Sequence, residues 1–254
     1  MIMVYAFVII IGLIFGSFLN VVIYRLPKKE SLISPGSHCP VCGAPVKAYD
    51  NIPVISYILL RGKCRSCKSP ISLRYPLVEL LTALILFVIF LRYGISAHFL
   101  VYSVLVLFLI PISIIDIDKG LILNKLTFPG CILGIFFVLI FQIETWKSMA
   151  LGGVAGGAVV FLIGILGSFL FKKESMGMGD VKMLILTGIY AGFPGVLLGL
   201  FYSIFIAALF IVAGMALKRL KIGETIPFGP FIAIGTLVHI LFGKSIIAWY
   251  LGLF

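Results

Sequence analysis

The stretch HFLVYSVLVLFLIPISIIDID (98–118) decides how the rest of the chain is read. Residues 98–115 carry no charged side chain, and as a helix they would cross about 30 Å of hydrocarbon. The run then ends on two aspartates, Asp116 and Asp118. A second apolar run, GMGDVKMLILTG (177–188), opens with Asp180. The chain holds only 9 acidic residues in 254 and is 62% hydrophobic, so carboxylates at the ends of apolar runs stand out. An ionisable group at a membrane boundary marks a functional site by default. Two carboxylates that can meet would share a proton and activate water.

A mean hydropathy of +1.24 excludes an ordinary soluble domain. The apolar runs predict an all-α polytopic membrane protein with about eight transmembrane helices, near 3–24, 77–92, 98–115, 126–142, 149–171, 181–193, 195–217 and 227–251. The sixth is short and interrupted by glycine. The first reads as a span rather than a cleavable signal peptide, because it lacks a basic n-region and runs into Arg25. Residues 25–75 hold nine Lys or Arg, and 116–125, 172–182 and 218–221 hold two, three and three more. With eight spans all four stretches share one side of the membrane, leaving only Arg92, Lys147 and Lys244 elsewhere. The positive-inside rule makes that side cytoplasmic and puts both termini outside. The net charge of +11 is therefore mostly a topology signal, and it suits anionic lipid headgroups. No aromatic-interleaved basic motif points to nucleic acid.

The expected organisation is a first span (1–24), a cytoplasmic loop domain (25–76) and a membrane bundle (77–254). The loop is rich in proline and too short for a large core, so it needs a staple. CPVC and CRSC supply Cys39, Cys42, Cys64 and Cys67. Paired C-x2-C motifs can place four thiolates tetrahedrally around a structural zinc with no open position for water. Two disulfides are the alternative, disfavoured in reducing cytosol. Cys131 lies in a span and reads as a small buried hydrophobe. Gly152 and Gly156, with Gly153 and Gly157, have small-xxx-small spacing, which suits close helix packing.

Taken singly, Asp180 could be a helix N-terminal acid, and Asp116 and Asp118 solvated loop charges. All three map to the cytoplasmic ends of spans, and glycines at 177 and 179 give backbone freedom before Asp180. Together they point to a membrane hydrolase or a metal-dependent transferase. Glu79 could pair with a basic residue or bind substrate. His38, His98 and His239 carry no convincing site, and no Ser-His-Asp arrangement is evident.

Several segments in order, GSFLNVVIYRLP (16–27), CPVCG with CRSC, NIPVISY (51–57), RYPLVELLTA (74–83), GMGDVK (177–182) and IPFGPFIA (226–233), resemble the bacterial type IV prepilin peptidases. These are membrane aspartic proteases of the GxGD type. The resemblance covers nearly the whole chain. It implies cleavage of the basic leader from prepilins and pseudopilins after a glycine, at the cytoplasmic face of the bacterial inner membrane. It also implies N-methylation of the new terminus with S-adenosylmethionine. It assigns the catalytic pair to Asp116 and Asp180 and the metal-binding cysteines to Cys39, Cys42, Cys64 and Cys67. The chain departs from the family at Leu123, where proline is frequent, and at Asn124, where aspartate is frequent. No G-x-G-x-x-G loop with a following ribose-binding acid is present, so any methyl-donor site is built differently.

Two other classes fit the bare residues. A Mg-dependent membrane transferase would use Asp116, Asp118 and Asp180 as metal ligands. A proton-coupled transporter would show symmetry between its halves, and none is visible.

Overall fold

The computed structural model describes residues 2–171, 177–221 and 225–252. Eight long helices carry the chain, and the described residues include no strand ladder. Two compact units divide it, Met1–Ile95 and Ser96–Phe254.

The first unit is a helical hairpin with a folded loop at its turn. Its helices are α1 (Ile2–Arg25), a short α2 (Ile55–Leu59) and α3 (Arg74–Tyr93). Helices α1 and α3 run antiparallel in a fixed register. Gly12, Gly16 and Asn20, four apart on α1, meet Ala83, Glu79 and Tyr75, four apart in reverse on α3. A Cβ on Gly12 would lie 2.5 Å from Ala83 Cα, and one on Gly16 would lie 2.6 Å from Glu79 Cα. Asn20 Nδ2 closes the series by donating to Tyr75 O at 3.0 Å. Small residues let the backbones touch, which is how helices gain dispersion energy where lipid offers no hydrophobic drive.

The second unit holds α4 (Ala97–Lys119), α5 (Asn124–Ile140), α6 (Trp146–Phe171), α7 (Met178–Ala191), α8 (Gly195–Ala216) and α9 (Gly229–Leu251). Helix α7 is the shortest and touches all five others. Met183, Leu184, Leu186, Thr187 and Tyr190 along it are almost fully buried. The glycines of α6 make this possible: Gly152 lies against the Gly188 carbonyl, and a Cβ on Gly156 would meet the Leu184 carbonyl at 2.7 Å. The small-residue spacing is thus a packing device. The far end of α7 stops at Gly192 (φ +63°). There Ser148 Oγ both accepts from Phe193 N at 3.0 Å and donates to Phe193 O at 3.1 Å, satisfying irregular backbone.

The eight helices match the eight apolar runs to within a few residues. Among the described residues, five are long and apolar enough to cross a membrane, α1, α3, α4, α6 and α8, and α5 is apolar but shorter. Outward faces such as Phe201, Ile204, Phe205 and Val212 on α8 are exposed and apolar, the surface a lipid solvent covers. This is a polytopic helical membrane protein. One boundary differs in a way that matters. Helix α4 runs past residue 115 to Lys119, capped by Gly120 (φ +62°), whose N–H donates to Asp116 O at 2.8 Å. Asp116 and Asp118 therefore sit in the last helical turn, not in a loop beyond it.

Candidate active site and metal centre

The end of α4 and the start of α7 carry two carboxylates within electrostatic reach of each other. Asp116 is buried, 6% exposed, so it is no solvated loop charge. Its Oδ2 accepts the backbone N–H of Gly229, the first residue of α9, at 2.9 Å. A helix N-terminus presents unsatisfied N–H groups and partial positive charge, so α9 is aimed to hold an anion here. A Cβ at 229 would lie 2.7 Å from that oxygen, so only glycine admits the contact. This is a role for the IPFGP segment that local pattern does not reveal.

Asp180 is the third residue of α7 after its N-cap, Gly177. Its carboxylate turns back to accept the Gly177 N–H, half of a capping box. The negative charges of Asp116 and Asp180 lie within electrostatic reach of each other. The two glycines before Asp180 serve closeness more than backbone freedom. Gly177 has φ −77°, which any residue adopts. Gly179 is helical, and a Cβ there would lie 2.9 Å from Ile122 Cβ, so its absence lets the 120–123 loop pass over the first turn of α7. Lys182 Nζ then donates to Asn124 Oδ1 at 2.9 Å and ties α7 to the start of α5. Leu123, the residue before α5, has φ −80°, near the value a proline ring imposes, so the loop keeps the shape that proline would give it. Asp118 is exposed. Among the described residues, Asp116, Asp118 and Asp180 do not gather into a metal-binding group.

The cysteines do gather. The Sγ atoms of Cys39, Cys42, Cys64 and Cys67 all lie within 4.8 Å of one another. Cys39 Sγ and Cys67 Sγ are 3.8 Å apart. A tetrahedron of sulfurs about 2.3 Å from a zinc has edges of about 3.8 Å, so the donor set fits that metal. All four cysteines are free thiols, and a disulfide needs sulfurs about 2.05 Å apart. The two halves are built alike. Cys39 N–H donates to Ala44 O at 2.9 Å, and Cys64 N–H donates to Ser69 O at 2.8 Å. In each, the residue after the second cysteine is left-handed, Gly43 at φ +69° and Lys68 at φ +60°. Backbone N–H groups of Cys42 and Val41, with the Ser69 hydroxyl, point at Cys39 and pull its thiol down to about 6. Cys42 goes up to about 11: the Ala44 N–H favours its thiolate, but the Cys67 sulfur and burial outweigh that. A bidentate ion pair, Arg65 Nε to Asp50 Oδ2 at 2.8 Å and Arg65 Nη2 to Asp50 Oδ1 at 2.6 Å, joins the intervening segment to the second knuckle.

The remaining candidates fall into place. His38 is bound locally, Nδ1 to Gly36 O at 3.0 Å. His98 lies near Tyr102 with the two rings tilted by 56°, and His239 is wedged between Gly195 and Gly243. Cys131 is half-buried in α5. Glu79 is buried on α3.

Two carboxylates at helix ends in one unit of a polytopic helical protein, and a four-cysteine centre in the other, define a class of membrane protein with a candidate hydrolytic site. The Bacterial Peptidase A24 N-terminal domain matches residues 10–93, and the Type IV leader peptidase family matches residues 103–212. The chain belongs to that family. It is 34% identical to a prepilin leader peptidase/N-methyltransferase of Aeromonas hydrophila, over 97% of this chain and 93% of that protein. It is 36% identical to one of Pseudomonas putida, over 94% and 91%. It is 36% identical to one of Neisseria gonorrhoeae, over 89% and 86%. No solved structure matches.

Proposed function

We propose that this chain is a membrane aspartic endopeptidase that removes the basic leader of a type IV prepilin or pseudopilin after a glycine, and then N-methylates the new terminus. The observation that carries the reading is that Asp116 and Asp180, about sixty residues apart in sequence, lie at neighbouring helix ends within electrostatic reach of each other. One carboxylate, ionised, takes a proton from water. The other, protonated, donates toward the scissile carbonyl oxygen. Because like charges at close range do not both ionise, the proton belongs to the pair. The relatives' shared name supports both halves of the activity. The basic loop and helix ends support an active site on the cytoplasmic face of the inner membrane, where a pilin's apolar helix lies in lipid and its leader in cytosol.

Zinc, held by Cys39, Cys42, Cys64 and Cys67, would staple the loop and take no part in hydrolysis, since four protein ligands fill its shell. S-adenosylmethionine would supply a methyl group on a sulfonium. Transfer forms a bond from the pilin amine nitrogen to the methyl carbon, breaks that carbon's bond to sulfur and leaves S-adenosylhomocysteine, the amine having given up one proton to solvent.

Purified protein incubated with a prepilin and S-adenosylmethionine tests this. Mass analysis should show the pilin shortened by its leader and one methyl group heavier at the new N-terminus. An unshortened pilin would refute the peptidase reading, and a shortened, unmethylated one would refute the methyl transfer.

A further inference from the structure

Within the first unit, the short helix α2 turns an apolar face outward. Ile55, Ile58 and Leu59 stand at i, i+3 and i+4, on one side of the helix, and are 53%, 67% and 75% exposed. Ser56, on the other side, is buried, and its Oγ donates to Tyr49 O at 2.9 Å. A single exposed aliphatic is ordinary, but three on one turn with the hydroxyl inside invert the usual order. Helix α3 fixes the depth of this face. It has 20 residues, about 30 Å of rise, so Arg74 at its start stands at the edge of the hydrocarbon. Glu79, the sixth residue of α3, lies about 7.5 Å further in. Its Oε2 accepts the Val54 N–H at 2.8 Å, so the chain just before α2 reaches that depth. Helix α2 then climbs back, and beyond it Gly62 O accepts the Ile71 N–H at 2.7 Å, shortly before α3 begins. A backbone that dips into lipid must satisfy its own polar groups. Here Ile52 N–H donates to Ser56 Oγ at 3.2 Å, Ser56 N–H to Ile52 O at 3.0 Å and Ile58 N–H to Val54 O at 3.1 Å, and Pro53 has no N–H. Arg61 and Lys63 follow where the chain comes out, and both are exposed.

We infer that α2 is a lipid-surface anchor. Ile55, Ile58 and Leu59 insert among the upper acyl chains of the leaflet on the loop's side, and Arg61 and Lys63 take the headgroup phosphates of anionic phospholipid. Helices held at a membrane surface bury their apolar side chains by about 5–10 Å, and the depth set by Glu79 falls in that range. The order of residues selects the occupant. A leaflet offers an apolar layer and then a phosphate layer, and the chain presents aliphatics at the deep end and cations at the shallow end. A protein partner would have to bring an apolar surface and matching acids in the same sequence of depths. Glu79 then acts as the internal acceptor that lets Val54 dip without water. The dip is closed at its mouth by the ion pair of Asp50, before it, with Arg65, after it. The anchor therefore sets the height at which the cysteine centre rides above the membrane.

Two measurements on the full-length protein in lipid nanodiscs test this. Ile58→Trp, in a Trp146→Phe and Trp249→Phe background, reports depth by fluorescence. Its emission should fall by roughly half or more with phospholipid brominated near the top of the acyl chain, and change little with aqueous iodide. Val41→Trp, on the exposed first knuckle, should respond the other way. Quenching of the reporter at 58 by iodide and not by lipid puts the face in water and overturns the anchor. Quenching by neither puts it under protein, a pilin or a second copy, and overturns it as well. The second measurement needs no variant. Photolysis of phospholipid carrying an acyl-chain diazirine should label wild-type residues 52–60 and spare 39–46. Absence of label in 52–60 overturns the anchor even where the tryptophan variant fails to fold. The label should be heavier with anionic than with zwitterionic phospholipid, and Arg61→Gln with Lys63→Gln should erase that difference. A wild type indifferent to lipid charge, or a difference that the double variant keeps, overturns the phosphate contacts.

Discussion

Gly229 and Asp116 are fitted to each other at van der Waals limits. The Gly229 N–H donates to Asp116 Oδ2 at 2.9 Å, and a Cβ on the glycine would come within 2.7 Å of the same oxygen. The start of α9 can shift to admit a methyl group only by giving up that bond. Gly229→Ala should therefore lower leader cleavage by roughly 100-fold, the scale of a misplacement of about 1 Å at a reacting centre. Protein level and helical content in detergent should hold. Cleavage at the wild-type rate by Gly229→Ala would show that this contact does not orient the carboxylate.

The carboxylates themselves give the plainest expectation. Asp116→Asn and Asp180→Asn should each reduce cleavage by roughly 1,000-fold or more, and the double variant should be no worse, because groups acting as one unit are not additive. Asp118→Asn should cost little, since Asp118 is exposed at the end of α4. Rates on a purified prepilin check this. Full processing by either Asp116→Asn or Asp180→Asn would dispose of the dyad.

Metal analysis should find one zinc per chain. Chelation or Cys42→Ser should loosen the loop, read as new protease sensitivity between residues 30 and 70, while the dyad variants keep their metal. Acid should release the zinc, because each thiolate must stay deprotonated to bind. The Cys39 thiol, held near 6, takes up its proton only below that range, so loss of zinc is expected on the acid side of it. Protein that binds no zinc and whose four thiols alkylate freely in the native state would refute the centre.

The membrane arrangement is checked by single cysteines near 30, 120, 145, 175 and 220 in intact cells, in a Cys131→Ser background. Only the one near 145 should react with an impermeant thiol reagent. Label at 120 without label at 175, or the reverse, would place Asp116 and Asp180 about 30 Å of hydrocarbon apart and falsify the aspartyl-protease reading.

What could be read from the chain, and what could not, follows from the range of each interaction. Eight helices were legible because each apolar run is its own signal. Asp116 and Asp180 stood out because acids are rare in such company, and the four cysteines because metal spacing is local. The pairing of Gly229 with Asp116 was not legible: its partners are 113 positions apart, and IPFGP has no periodicity to report it. The same holds for Gly12 and Gly16, whose spacing is visible but whose partners on α3 are not. The glycines before Asp180 invited an argument from flexibility. Their service is instead to let Ile122 lie against the helix.

Helix α7 has 14 residues, about 21 Å of rise, against about 30 Å of hydrocarbon. Each of the five helices around it is longer, and its far end is stitched to Ser148. The shortfall is therefore covered by protein rather than by lipid. Hydrolysis consumes one water for every peptide bond, and a helix end screened from lipid by longer neighbours is where water can reach a carboxylate while the pilin's greasy helix stays in the bilayer.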